Sequence, residues 1–387
     1  MSVTVWTEML RAIHANQHQV VMAITGGGSK AIGQLLEIPG ASQTLLEAVV
    51  PYAPAALSAW LGNAPEQFCS VTTARAMAMR AWLQARKFSD TDDPLLLVGM
   101  GTTASLASNR PKRGTHRIHV AVQTATSTAS STLILTSKKR DRKKEEWLAA
   151  KLSIVMLGKA CGINTYPAEQ TLNEQLEDNE HIEFCLQQAK PSWTELYLGQ
   201  QKFATLPSPT SSLPKALFPG SFNPPHQGHL RIAEVASQIT GQPVAYELSI
   251  TNVDKPPLDY YELKRRYDLL QAIDHEAVLL ITNAPTFRSK SELLPGTTFV
   301  VGADTMLRIA NLRYYPENQT DYDTAIEQIS NQGCRFLVFG RCIEGRFQVL
   351  SDLPLPDNLR ILCDEVPAEQ FREDISSHSL RQQAHQN

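Results

Sequence analysis

The chain has 387 residues, 42% of them apolar and 19% charged, which suits two or three globular cores and argues against global disorder. Lys plus Arg is 36 against 39 for Asp plus Glu, and the resulting net charge of −3 carries no polyanion-binding signature, which disfavours nucleic acid as a partner. No apolar run is long enough to span a membrane, the start lacks a secretory pattern, and the scattered cysteines form no C-x-x-C pair. A cytoplasmic protein with reduced thiols and no membrane partner is expected.

In chain order, QVVMAIT (19–25) predicts a strand, followed by Gly26-Gly27-Gly28 and a helix over residues 29–37. PLLLVGMGT, HRIHVAVQT and STLILTS read as further strands. The run KKRDRKKEE opens a helix that continues through WLAAKLSIVMLGKA, and its mixed signs read as solvated first turns. Residues 164–204 are mixed and polar. Then LPSPTSSLPK, from Leu206 to Lys215, holds three prolines and three serines, which cannot sustain a helix or a central strand. The expected division is a first domain over 1–163, a connector and linker over 164–213, and a second domain over 214–387.

Beyond the linker, ALFPGSF, AYELSITNV, AVLLITNA, TTFVVGA, CRFLVFGR and NLRILCDEV read as strands, while HLRIAEVASQIT and YYELKRRYDLLQAI show helical spacing. Alternation of this kind implies parallel crossovers, hence an α/β fold with a doubly wound parallel sheet. The chemistry-bearing stretch is Gly220-Ser221-Phe222-Asn223-Pro224-Pro225-His226-Gln227-Gly228-His229, where a strand ends in a Gly/Pro-rich loop and a helix begins. A helix N-terminus offers unpaired N–H groups and partial positive charge to phosphate. Histidines three residues apart share a face of the first turn and can donate to phosphate oxygens. The bland alternative is a turn whose histidines merely cap a helix.

These residues resemble the HxGH signature of the nucleotidylyltransferase superfamily, and more narrowly the nicotinamide or nicotinate mononucleotide adenylyltransferases. Four further segments follow in the family's order. Asp254-Lys255-Pro256-Pro257-Leu258 with Glu262–Arg266 is similar to the segment in which a basic residue reaches phosphate. Gly302-Ala303-Asp304 is similar to the G-x-D strand end that approaches the product, and Phe339-Gly340-Arg341 to the later strand ending in arginine. Ile375-Ser376-Ser377-His378-Ser379-Leu380-Arg381 resembles the I-S-S-T-x-I-R motif at a second helix start, with His378 where the family has threonine. The resemblance implies a Rossmann-like domain with His226, His229, Lys255 and Arg381 catalytic. It implies nucleotide binding by Gly220, Ser221, Phe222, Asn223, Gly228, Gly302, Asp304, Arg341, Ser376 and Ser377. ATP is the implied substrate, Mg2+ the ion bridging its phosphates, and a mononucleotide the small-molecule acceptor. No side chain is assigned as a metal ligand, and assembly into a homo-oligomer is left open. The family's stacking aromatic past G-x-D has no clean counterpart near Leu312 and Arg313, so cytidylyl transfer or a phosphopantetheine-like acceptor stays open, as does a nucleotide sensor or scaffold without turnover.

Residues 1–163 resemble the carboxy-terminal domain of the competence-damage-inducible (CinA-like) proteins, the nicotinamide-nucleotide amidase family. Ala23-Ile24-Thr25-Gly26-Gly27 stands at its A-E-S-x-T-G-G, Pro39-Gly40-Ala41-Ser42 at its P-G-S-S, and Val50-Pro51-Tyr52 at its V-x-Y. Thr25 replaces the family's serine and Leu57 its lysine. Amide hydrolysis of that type needs a nucleophile with a basic partner, which leucine cannot supply. The expectation is a scaffold or regulatory module in which Thr25, Ser42 and Tyr52 line at most a small-molecule pocket.

Overall fold

The structure, a computed structural model, describes residues 2–109, 114–207, 213–251, 257–315 and 319–372. It divides into two compact units, one running to Leu198 and taking in the short stretch ending at Tyr261, the other holding the rest.

The first unit contains α1 (Ser2–Ala15), β1 (Gln19–Thr25), α2 (Lys30–Glu37), α3 (Ala41–Thr44), β2 (Leu45–Val49), α4 (Pro54–Leu61) and α5 (Val71–Phe88). There follow β3 (Leu97–Ser105), β4 (His116–Gln123), β5 (Ser127–Leu135), α6 (Arg142–Ala160), α7 (Tyr166–Asn173), β6 (Ile182–Gln188) and α8 (Pro191–Leu198). The strands form one sheet in the order β2-β1-β3-β4-β5-β6. β1 pairs in parallel with β2 and β3, and the remaining neighbours are antiparallel. The apolar run of β1 is buried on both faces, as a central parallel strand requires. On one face α6 is buried through Leu148–Gly158 among Met22, Met100, Ile118 and Val120. On the other, α5 lies directly on β3. A Cβ on Gly101 would stand 2.2 Å from the Ala74 carbonyl oxygen, and one on Gly99 would stand 2.1 Å from Trp82 N, so only glycine permits this approach.

The second unit contains β7 (Phe203–Leu206), β8 (Ala216–Pro219), α9 (Gln227–Thr240), β9 (Val244–Ser249), most of α10 (Tyr260–Ile273), β10 (Leu279–Thr282) and α11 (Phe287–Leu293). It continues with β11 (Thr298–Gly302), α12 (Ala303–Ile309), α13 (Gln319–Asn331), β12 (Arg335–Phe339), the hairpin β13 (Arg341–Ile343) and β14 (Arg346–Gln348), α14 (Asp357–Arg360) and β15 (Cys363–Val366). The sheet order is β15-β12-β11-β8-β9-β10-β7, parallel throughout except for the edge strand β7. This is the expected doubly wound sheet. From β8 the chain winds outward through β9 and β10, then returns to the other side of β8 to lay down β11, β12 and β15. The winding reverses between β8 and β11, and ligands of open α/β sheets bind outside the carboxyl ends of the strands at such a reversal.

Three readings from sequence need amendment. Residues 164–198, expected as connector, form α7, β6 and α8, and β6 extends the first sheet by pairing with β5. Within NLRILCDEV, Asn358–Arg360 is helical, because Asp357 opens a short turn after Pro356 and only Cys363–Val366 pairs with β12. The charge run that opens α6 is not simply solvated. Glu145 is fully buried, with Oε1 2.7 Å from His116 Nδ1 and Oε2 accepting from Ala107 N–H at 2.5 Å.

Candidate functional site

In the second unit, β8 ends at Pro219 and α9 starts at Gln227, so the intervening loop lies at the carboxyl edge of the sheet where the winding reverses. Gly220 N–H donates to the Glu247 carbonyl at 3.0 Å, tying the loop to β9. Beneath it, the Glu247 carboxylate accepts from Lys290 Nζ at 2.7 Å and from the Thr282 hydroxyl at 2.5 Å, an ion pair buried at both ends. From α10, Arg266 Nη1 donates to the Ser221 carbonyl at 3.1 Å, and Arg265 donates to Asn223 Oδ1. Glu262 pairs with Arg265 at 2.9 Å. Two arginine side chains and the Glu247 backbone thus fix a loop that has no regular structure of its own.

His226 and His229 sit side by side at the start of α9, with ring centroids 3.8 Å apart and each side chain only 9% exposed. The backbone N–H of His226 donates to His229 Nδ1 at 3.1 Å. Because Nδ1 accepts, the neutral His229 ring carries its proton on Nε2, which makes that atom a donor. Phe222 packs edge-on against His229 with centroids 5.2 Å apart, and its backbone stands at φ +43°. Its ring is 1% exposed, so Phe222 is the floor of the site and not a surface that a nucleotide can touch. Gly220 is required above it, since a Cβ there would meet the Phe222 ring at 2.6 Å.

Burial lowers the pKa of His229 to about 3, with the charges of His226 and Arg341 adding to the shift. Burial, then Arg341, lowers that of His226 as well. Both imidazoles are therefore neutral donors at pH 7. His226 Nδ1 is buried without a hydrogen-bond partner, an orphaned polar atom at the mouth of a helix.

β11 delivers Gly302, and Asp304 lies in the first turn of α12 with its side chain 61% exposed and Oδ1 3.9 Å from Arg341 Nε. A Cβ on Gly302 would crowd both side chains, at 2.5 Å from Asp304 Oδ1 and 2.9 Å from Arg341 Nε. The structure thus brings His226, His229, Arg341, Asp304 and Gly302 to one edge, with Gly228 buried in the first turn of α9. Lys255, Ser376, Ser377 and Arg381 lie outside the described residues. Among the described residues no three His, Cys, Asp or Glu side chains form a cluster that could hold a metal ion. Sequence reading missed Glu247 and Lys290. Glu247 is the one charged residue of β9 and Lys290 one of three in α11, and only the pairing reveals them.

In the first unit the winding also reverses, between β1 and β3. The loop Gly26–Ser29 leaves β1 there, with Gly26 at φ +74° and Gly28 at φ +94°. Two of its donors are held by α6. Glu146 of α6 accepts from Gly28 N–H at 2.8 Å, from the Ser29 hydroxyl at 3.1 Å and from Lys30 N–H at 3.2 Å. Arg142 Nη2 donates to the Gly26 carbonyl at 2.8 Å. Thr25 is buried and gives its hydroxyl to the Pro51 carbonyl at 3.0 Å, while Ser42 and Tyr52 are exposed. Leu57 is 2% exposed in an apolar cluster with Ala23, Leu61 and Met77.

A parallel sheet with a helix start and paired neutral histidines at its reversal point defines a nucleotide-handling α/β domain. Residues 217–383 match the cytidylyltransferase-like family, and the carboxy-terminal part of the chain is accordingly a nucleotidyltransferase domain. No curated protein is similar enough to the chain to register as a match. Among solved structures, a competence/damage-inducible protein, CihA, from Agrobacterium tumefaciens is 17% identical, covering 44% of this chain and 96% of its own at a TM-score of 0.30. A competence-damaged protein (CinA) superfamily protein from Escherichia coli is 16% identical, covering 41% of this chain and 88% of its own at a TM-score of 0.32. No helix among the described residues is long and apolar enough to cross a membrane.

Proposed function

We propose that the second unit transfers an adenylyl group from ATP to the phosphate of nicotinate or nicotinamide mononucleotide and releases pyrophosphate. An acceptor phosphate oxygen attacks the α-phosphorus, and the bond from that phosphorus to the bridging oxygen of pyrophosphate breaks. The acceptor is already ionised, so no general base is needed. Catalysis rests on holding two polyanions together and neutralising the charge that gathers between them. The observation that carries this reading is the His226–His229 pair, whose rings lie 3.8 Å apart at the first turn of α9. His229 Nε2–H serves as a neutral, preorganised donor to the α-phosphate, and the neutral His226 ring beside it supplies a second donor. Arg341 adds fixed positive charge. In this proposal Lys255 and the Ser376-Ser377…Arg381 segment would hold the remaining phosphate oxygens, and Mg2+ bound to the triphosphate would supply charge screening.

The test is pyrophosphate release by the full-length protein from ATP and from CTP, each offered nicotinate mononucleotide, nicotinamide mononucleotide and phosphopantetheine. Turnover with ATP and a pyridine mononucleotide alone supports the proposal. Turnover with CTP alone establishes a second reading, cytidylyl transfer, which the cytidylyltransferase-like family match favours.

The first unit we propose to be silent as an amidase. Leu57 is packed into an apolar cluster where a base would be needed, and Glu146 occupies the Gly28 N–H and Ser29 hydroxyl of the glycine loop. Ammonia release from nicotinamide mononucleotide by the full-length protein at a rate above background overturns this.

A further inference from the structure

β6 is an outer strand of the first sheet, and among the described residues it pairs with β5 alone. Ala189 N–H donates to the Thr126 carbonyl at 2.8 Å, which sets the parity of the ladder. Glu183, Cys185 and Gln187 therefore turn their backbone groups toward β5. Ile182, Phe184, Leu186 and Gln188 turn theirs outward. None of these is a proline, a lysine or a bulge, the usual devices that keep an edge from accepting another strand. Phe184 and Leu186, on one face of the strand, are 50% and 47% exposed. Of the other edge strands, β7 runs directly into Pro207, and β15 carries the adjacent pair Asp364 and Glu365.

We propose that two copies of the chain associate by antiparallel pairing of β6 with β6, with the twofold axis at Cys185, to make one continuous sheet. Outward residues must oppose outward residues, so the axis has to pass through a residue. With the axis at Cys185, Phe184 of each copy opposes Leu186 of the other. The two exposed apolar side chains of the strand thus cover one another twice. On the opposite face Glu183 meets Gln187, so no like charges stand directly across. Centring on Phe184 instead would set the two Glu183 side chains diagonally across the axis. A second copy is the occupant because the strand is its own complement in backbone parity, apolar pattern and charge, as an isologous interface requires. In this register the Cys185 pair is not hydrogen-bonded, with Cα atoms about 4.5 Å apart, within the range a disulfide spans. The exposed thiol then serves as a reporter of register.

Light scattering of the reduced full-length protein at micromolar concentration should give a dimer. The double variant Phe184→Lys/Leu186→Lys should give a folded monomer with native circular dichroism. Oxidation with copper–phenanthroline should convert the wild type, but not Cys185→Ser, into a covalent dimer that dithiothreitol reverses. A wild-type monomer overturns the proposal, as does a dimer that survives the lysine pair. Should the lysine variant fail to fold, the crosslink decides: its absence in the wild type, or its persistence in Cys185→Ser, rejects the pairing.

Discussion

The carboxylate of Glu146 accepts the backbone N–H of Gly28 at 2.8 Å, across 118 residues of sequence. A side chain from the first turns of α6 thereby sits at the start of α2, where the helix dipole and three donors favour negative charge. Removing it leaves these donors unmatched. Glu146→Ala is expected to lower the stability of the first unit by about 1.5–3 kcal/mol, the usual worth of a hydrogen bond to a charged group. Glu146→Gln should recover part of the loss through its side-chain oxygen. Urea unfolding of the three proteins checks this; equal midpoints would mean that water replaces the carboxylate at no cost.

That contact marks where sequence reading stopped. The loop Gly220–His229 was legible because glycine, proline and paired histidine at a strand–helix junction each answer a local need: a tight turn, a fixed approach and donors at a helix start. β1, β3 and α9 were legible for the same reason, since apolar periodicity is a local property. Glu145 and Glu146 look like every other member of a charge run. Their partners, His116 and Ala107 for one and the Gly28–Lys30 donors for the other, are remote in sequence and supplied only by the fold. β6 was hidden differently: its exposed edge lacks the buried pattern that announces a strand.

His226→Ala and His229→Ala should each lower kcat by roughly 10²–10³-fold, about 2.7–4 kcal/mol, the effect of removing one preorganised donor to transition-state charge. The two should differ in stability. His229 accepts the His226 N–H and packs against Phe222, so its loss also lowers the thermal midpoint, whereas loss of the His226 ring should leave the midpoint nearly unchanged. Steady-state kinetics beside calorimetry separates the effects. Near-wild-type turnover in both variants would make the histidines structural.

Stability should fall with acid in a way that reports on His229. Its pKa is about 3 in the folded protein against the ordinary 6.5, so the unfolded chain takes up the proton first. The contribution is fully present above pH 6.5 and is lost as pH falls toward 3. By pH 5 the loss attributable to this group is about 2 kcal/mol. His119 in the first unit, lowered to about 4 chiefly by burial, acts in the same direction. The His229→Gln variant should therefore lose less stability than wild type between pH 6.5 and pH 5. Parallel pH profiles for the two proteins would show that His229 does not titrate as its burial demands.

Two glycines separate a fold contact from a site contact. At Gly101 an added methyl would meet backbone, 2.2 Å from the Ala74 carbonyl oxygen and 2.6 Å from Ala78 N. Neither α5 nor β3 can give way alone, so Gly101→Ala should cost the upper part of the roughly 1–3 kcal/mol typical of overpacking, or more. At Gly302 the nearest atoms to the same methyl belong to two side chains and not to backbone: Asp304 Oδ1 at 2.5 Å, and Arg341 Nε and Cγ at 2.9 and 3.0 Å. These can swing aside with little cost to the fold, but the 3.9 Å approach of Asp304 to Arg341 is then lost, and the arginine charge moves relative to His226 and His229. Gly302→Ala should accordingly keep the wild-type thermal midpoint within about 1 °C, given that roughly 1 kcal/mol shifts the midpoint of a domain this size by several degrees. Its kcat/KM should nevertheless fall at least tenfold. Calorimetry and kinetics on the same preparations decide it. A Gly302→Ala protein with unchanged kinetics would show that the Asp304–Arg341 arrangement plays no part in turnover, and one that unfolds early would place Gly302 among the packing glycines with Gly101.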